Sequence, residues 1–168
     1  MSNQPPVVDF FDGVKTFNVA AGVIAKSDQK FDAKLVAFYT GMQCEELAEK
    51  LRAIFTQSGK HEDRFIENLL THLEMLGMEL KNGDHVSQVA LANRVELLDA
   101  DVDIQVVSEG SILAAGADGF GARLSVNNSN LAKIVDGNVI RDQASGKILK
   151  PEGWTPPNLV PFICDSDA

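Results

Sequence analysis

The stretch FDAKLVAFYTGMQCEELAEKLRAIF, Phe31 to Phe55, decides how this chain is read. Phe31, Leu35, Phe38, Tyr39 and Met42 recur at spacings of three and four, and Leu47, Leu51, Ile54 and Phe55 continue the pattern. That is the periodicity of an amphipathic helix. At about 100° per residue, Glu45, Glu46 and Glu49 cover an arc of roughly 100°. The arc is centred on the stripe set by Phe31, Leu35, Phe38 and Met42, so an apolar face runs into a carboxylate patch.

A second patch lies further along, in ELLDADVD from Glu96 to Asp103. Glu96, Asp99 and Asp103 span roughly 60° of helix surface. The same face continues as Val106, Val107, Gly110, Ala114 and Ala117, and such small residues suit close helix contact. Asp101 points elsewhere and reads as a solvated acid. Burying unpaired carboxylates is costly, so these faces meet either solvent or cations. Hard divalent cations prefer carboxylate oxygen, and Mg²⁺ suits a few carboxylates completed by water and substrate phosphates.

Outward from these two segments the chain is mostly helical in pattern. Val7–Gly22 carries Val7, Phe10, Phe11, Val14, Phe17 and Ala21 at helical spacing, with Gly22 as a stop. His61–Leu80 reads as a third helix with Phe65, Leu69, Leu70, Leu73, Leu76 and Leu80 as its inner face. Asn82-Gly83-Asp84 marks a turn. A long helix is expected from about Val89 to Ala117, with a break at Asp118-Gly119 and a short helix through Lys133 and Val135. Asp136-Gly137-Asn138 is turn-like, Val139–Lys150 suits a small hairpin around Ser145-Gly146, and the proline-rich Trp154–Pro161 reads as extended. The expected organisation is a disordered tail at 1–6, a helical domain at 7–136 and an irregular C-terminal arm at 137–168. The fold class is all-α, a bundle of four to five helices whose core a second copy completes.

The 168 residues make one domain's length, with 45% hydrophobic and 23% charged residues. Net charge is −9, from 15 Lys and Arg against 24 Asp and Glu. This argues against a nucleic-acid polymer or an anionic membrane as partner, since both need clustered positive charge. No apolar run approaches the roughly 18 residues that span a membrane. Met1–Pro6 lacks the basic and apolar regions of a signal peptide. Cys44 and Cys164 match no metal or redox spacing and read as free thiols. The expected location is the cytoplasm.

Other chemistries lack their residues. A di-iron bundle needs Glu-x-x-His. His61, His72 and His85 instead have Ser58, Leu69 and Asn82 three positions earlier. There is no phosphate-binding GxxxxGK[ST] loop and no GxGxxG. Cys44 reads as a small helix residue and not as a nucleophile.

Glu45-Glu46-x-x-Glu49 followed by Glu96-x-x-Asp99 resembles the EExxE…ExxD signature of all-α nucleoside triphosphate pyrophosphohydrolases: the MazG, dimeric dUTPase and phosphoribosyl-ATP pyrophosphohydrolase-like proteins. Ser129-Asn130-Leu131-Ala132-Lys133, Arg141-Asp142 and Gly146 to Pro157 (GKILKPEGWTPP) resemble the tail of the phosphoribosyl-ATP branch. The resemblance runs from about Phe31 to Leu159. It implies that Glu46, Glu49, Glu96 and Asp99 ligate Mg²⁺, with Mn²⁺ as a substitute, and that Asp103 is a further or supporting ligand. It implies that Glu45 positions or deprotonates the attacking water. It makes Asn130, Lys133, Lys147, Lys150 and Trp154 substrate-contacting residues, although Trp154 suits pinning the arm as well as stacking on a base. The implied reaction hydrolyses a (deoxy)nucleoside triphosphate to the monophosphate and pyrophosphate, in a homodimer or homotetramer. Two departures stand out. The gap from Glu49 to Glu96 is long, and Asn127-Asn128 stands where that branch often has His-Arg. Two alternatives stay open: phosphoribosyl-ATP hydrolysis, and a non-enzymatic helical interaction module whose acids are surface residues.

Overall fold

Aspartates start three of the helices in the structure, a computed structural model that describes residues 9–27, 30–55, 64–84, 93–144 and 146–163. Asp9 accepts hydrogen bonds from the Phe11 and Asp12 amides at 2.9 and 3.3 Å and opens α1 (Phe10–Ala20). Asp32 accepts from the Leu35 amide at 3.0 Å ahead of α2 (Ala33–Phe55). Asp118 accepts from the Gly121 amide at 3.0 Å and opens α5 (Gly119–Leu131). Each carboxylate satisfies amides that a helix start leaves without a partner, worth about 1 kcal/mol. α3 runs Arg64–Asn82 and α4 runs Arg94–Ala114.

The stops follow the glycines. Gly22 adopts φ 67°, its amide bonds to Val19 O, and the Val23 amide reaches back to Asn18 O. Gly83, at φ 92°, ends α3 in the same way. After α5, Ile134–Val135 (β1) pairs antiparallel with Asn138–Val139 (β2). The two-residue turn between them places Asp136 and Gly137 at φ 50° and 81°, the left-handed pair that a tight hairpin needs. A second, looser pairing joins Arg141 to Ile148 around Gly146. The arm then runs extended to a short 3-10 turn at Val160–Phe162.

The chain is thus mostly helical, with one two-stranded hairpin among the described residues. The helix expected to reach Val135 stops at Leu131, because Ile134 and Val135 pair as a strand. The expected tail at Met1–Pro6, the start of the third helix at His61, and Cys164 lie outside the described residues. Among the described residues no helix is long and apolar enough to cross a membrane.

Two compact units are resolved, Met1–Gln29 with Ala100–Ala168, and Lys30–Asp99. In the second, α2 packs along α3. The seam is built from small residues: Ala37, Gly41 and Ala48 on α2, and Gly77 on α3. A Cβ on Gly41 would sit 2.6 Å from the Gly77 carbonyl oxygen, and one on Gly77 would sit 2.9 Å from that of Gly41. The backbones therefore touch, and only glycine permits that approach. This corrects the face reading of Phe31–Phe55. The stripe of Phe38 and Met42 is exposed, and lies roughly 100° round the helix from the seam. On α3, Leu70, Leu73 and Leu80 are half-buried, whereas Phe65, Leu69 and Leu76 are exposed.

In the first unit α1 packs on α5. Gly13 faces the Asn127 carboxamide so closely that any Cβ there would overlap it. α4 buries no residue. Among the described residues the close contact expected of Gly110, Ala114 and Ala117 is not made. Space beside Gly110 is open, and Ala117 lies past the end of α4, bridged to Ile163. Among the described residues no large side chain is fully buried, while Val95, Leu98, Val106, Val107 and Leu113 stand exposed on α4.

Candidate functional site

The six candidate acids divide into one that is held and five that are free. Glu45 sits at the edge of the α2–α3 seam, with its stem over Gly77, and its Oε1 accepts from the Lys81 Nζ of α3. Glu46 and Glu49 lie one turn apart on the exposed side of α2. Glu96, Asp99 and Asp103 are exposed on α4. Among the described residues none of these five has a hydrogen-bond or ion-pair partner, whereas Glu74 pairs with Arg52 and Glu109 with Arg123. Asp101, read as a solvated acid, is half-buried.

Carboxylate oxygen is the right donor type for Mg²⁺. Among the described residues, however, no three His, Cys, Asp or Glu side chains converge on one point. Near them, Arg94 at the start of α4 stacks 5.1 Å from the Phe31 ring centre. Burial pushes the Cys44 thiol up from its usual pKa, and Glu45 adds to this. A thiolate nucleophile needs the opposite shift.

The C-terminal residues do converge. Trp154 Nε1 donates to the Ser129 carbonyl at 2.8 Å, and Ser129 Oγ donates to the Thr155 carbonyl at 3.1 Å. These reciprocal bonds fix the arm on the last turns of α5. Lys133 Nζ donates to Asn130 Oδ1 at 2.9 Å and lies 5.4 Å from the Trp154 ring centre. Lys150 Nζ lies 4.5 Å from the same ring. Lys133 also lies 5.8 Å from the Phe17 ring of α1. Two ammonium groups thus share one indole, and among the described residues neither has a carboxylate at ion-pair distance. The Lys133 pKa is lowered, chiefly by burial and then by the Lys150 charge. Such a pair favours an anion placed between the two lysines. Lys147 is exposed, and its carbonyl accepts from the Asp142 amide in the loose hairpin at 2.8 Å.

Two further residues have roles that the sequence does not mark. Arg141 donates to the Ala21 carbonyl at 2.9 Å and to the Gly146 carbonyl at 2.7 Å, tying the hairpin to the end of α1. Its place in Arg141-Asp142 was visible, but its use on backbone oxygens was not. Asn127 is 2% exposed, and its Nδ2 has no hydrogen-bond partner among the described residues. Nothing in the polar run Asn127-Asn128-Ser129 marks one asparagine as buried and its neighbour as exposed.

Comparison with protein-family models, with curated proteins and with solved structures finds no match for this chain.

Proposed function

We propose that the chain is a metal-dependent pyrophosphohydrolase that converts a (deoxy)nucleoside triphosphate to the monophosphate and pyrophosphate. The observation that carries it is that Glu46, Glu49, Glu96, Asp99 and Asp103 have no partner among the described residues, in a chain that combines EExxE and ExxD spacing with a tail motif that folds into a cationic cluster. Glu46, Glu49, Glu96 and Asp99 would hold Mg²⁺, with Asp103 supporting. The ion would neutralise phosphate charge and make a bound water a better nucleophile.

The chain's own residues have separate tasks. Lys81 occupies Glu45 Oε1 and fixes the side chain over Gly77, which leaves Oε2 to accept from the attacking water. Lys133 and Lys150 draw the outer phosphates, and Asn130 holds Lys133 in place. Trp154 pins the arm through its indole N–H and presents its ring to both lysines. Lys147 is a further phosphate contact. The working unit is a homodimer or homotetramer, supported by the bare apolar surface of α4.

The test is hydrolysis of the common NTPs and dNTPs with Mg²⁺ or Mn²⁺, scored by pyrophosphate and monophosphate. The expected result is turnover of at least one triphosphate and its loss in Glu46→Gln. No turnover of any triphosphate ends the proposal. Light scattering is expected to give a dimer or tetramer, and a monomer at micromolar concentration would remove the assembly.

A further inference from the structure

Positive charge is in deficit in this chain, with 15 Lys and Arg against 24 Asp and Glu. Two lysines nevertheless meet in the first unit, around the Trp154 indole. Lys150 Nζ lies 4.5 Å from the ring centre and Lys133 Nζ 5.4 Å. Among the described residues neither has a carboxylate at ion-pair distance, although Arg52, Lys81 and Arg123 each have one. Like charges held together without a counter-ion repel, and each opposes the other's proton.

Neutral groups do the holding. The Trp154 amide donates to the Pro151 carbonyl at 3.1 Å, and Gly153 at φ 75° lets the chain turn, which sets Lys150 beside the ring. The indole N–H is committed to the Ser129 carbonyl, so the ring is fixed on α5. Lys133 is half-buried and also lies 5.8 Å from the Phe17 ring of α1. It donates to Asn130 Oδ1 at 2.9 Å, which leaves the Asn130 Nδ2 group as a further donor. Burial and then the Lys150 charge lower the Lys133 pKa, and an oxyanion between the lysines would offset both. A single phosphate is compact, whereas a diphosphate carries charged oxygens at both ends. Lys133 follows α5 and Lys150 belongs to the arm, so each end can meet one ammonium group in a charge-assisted bond.

We propose that Lys133, Lys150 and Asn130 form a diphosphate site that operates without a metal ion, and that its occupant clamps the C-terminal arm to α5. The choice of a diphosphate over another multivalent oxyanion rests on the pyrophosphohydrolase reading above. On that reading the ligand is the released pyrophosphate, and the clamp is product inhibition.

The test uses the full chain in EDTA, titrated calorimetrically with sodium pyrophosphate, with inorganic phosphate and, at matched ionic strength, with sodium chloride. Trp154 is the chain's single tryptophan, so its emission reports on this cluster. Pyrophosphate is expected to bind, to shift that emission and to slow tryptic cleavage within the arm. Inorganic phosphate is expected to bind about tenfold more weakly, since it meets one lysine at a time. Lys150→Met, at an exposed position, and Lys133→Met should each weaken pyrophosphate about tenfold, while Lys34→Met, exposed on α2, binds it normally. Lys150→Met carries the test alone if Lys133→Met does not fold. Absence of pyrophosphate binding, unchanged binding in the folded variants, equal affinity for phosphate, or the same emission shift with chloride overturns the site. Unslowed cleavage with pyrophosphate bound overturns the clamp. Hydrolysis assayed in parallel with Mg²⁺ separates the two proposals. Pyrophosphate binding without turnover of any triphosphate keeps the site and ends the enzyme reading. Turnover with no pyrophosphate binding in EDTA does the reverse.

Discussion

The C-terminal cluster and the acid faces are both short motifs, yet among the described residues one closes and the other does not. Asn130, Lys133, Lys150 and Trp154 fall within a span of about two dozen residues, and α5, one hairpin and the extended arm suffice to bring them together. Glu46 and Glu49 are separated from Glu96 and Asp99 by almost fifty residues, including all of α3. Joining them needs helix faces to pack, and the faces that carry them are the ones left exposed. The glycine seam explains part of this. α2 spends its small-residue face on α3, which leaves the Phe38 and Met42 stripe, with Glu46 and Glu49 beside it, looking outward. A locally assembled cluster needs little help from the rest of the fold, whereas a site shared between distant helices waits for whatever covers those helices.

That contrast can be attacked from both sides. The largest effect is expected at the acid faces: Asp99→Asn, with the Glu96 and Glu46 amides as companions, should lower kcat by about 100-fold or more while leaving the melting temperature unchanged, because the carboxylate has no partner among the described residues. A fall in melting temperature with intact activity would make it a structural acid. Next, Gly77→Leu should cost about 2–3 kcal/mol by forcing α2 from α3. A urea midpoint reads this, and the variant should also displace Glu45 and lower activity. Arg141→Ala removes two bonds to backbone carbonyls and should cost about 1–2 kcal/mol, with the arm becoming more protease-sensitive; no change would show that the hairpin holds itself. Trp154→Phe keeps a ring but loses the indole N–H, so it should cost about 1 kcal/mol and raise KM more than it lowers kcat.

The smallest effect is electrostatic. The folded chain lowers the Lys133 pKa from 10.5, through burial first and Lys150 second, so the folded state binds that proton more weakly than the unfolded state. The charge therefore opposes folding at neutral pH, and the penalty fades as pH rises through the lowered pKa towards 10.5. Lys150→Met should raise the Lys133 pKa, read from its side-chain NMR signals. An unmoved titration would show that burial alone sets it.

Much of this architecture was legible in the residues. Apolar spacing marked the helices, Asp118-Gly119 marked a boundary because aspartate caps and glycine frees the backbone, and Asp136-Gly137-Asn138 marked a turn, although the strand pairing of Ile134 and Val135 on its near side was read as helix. The tail motif named residues that do meet. Less legible was which face of each helix is buried. A hydrophobic stripe shows which face avoids water, but not which partner covers it. On α2 the intrachain seam follows glycine and alanine, whose low hydrophobicity hides them in a periodicity count.

The sequence by itself determined the helices, their caps and stops, the hairpin and the chemical character of the candidate residues, because all of these follow from local backbone preference and side-chain type. Only the tertiary structure decided that Glu45 is clamped by Lys81, that Arg141 serves two carbonyls, and that Asn127 is buried with an unanswered donor. Those facts depend on backbone approaches at Gly13, Gly41 and Gly77 and on contacts across long stretches of chain, and no local pattern encodes such distances.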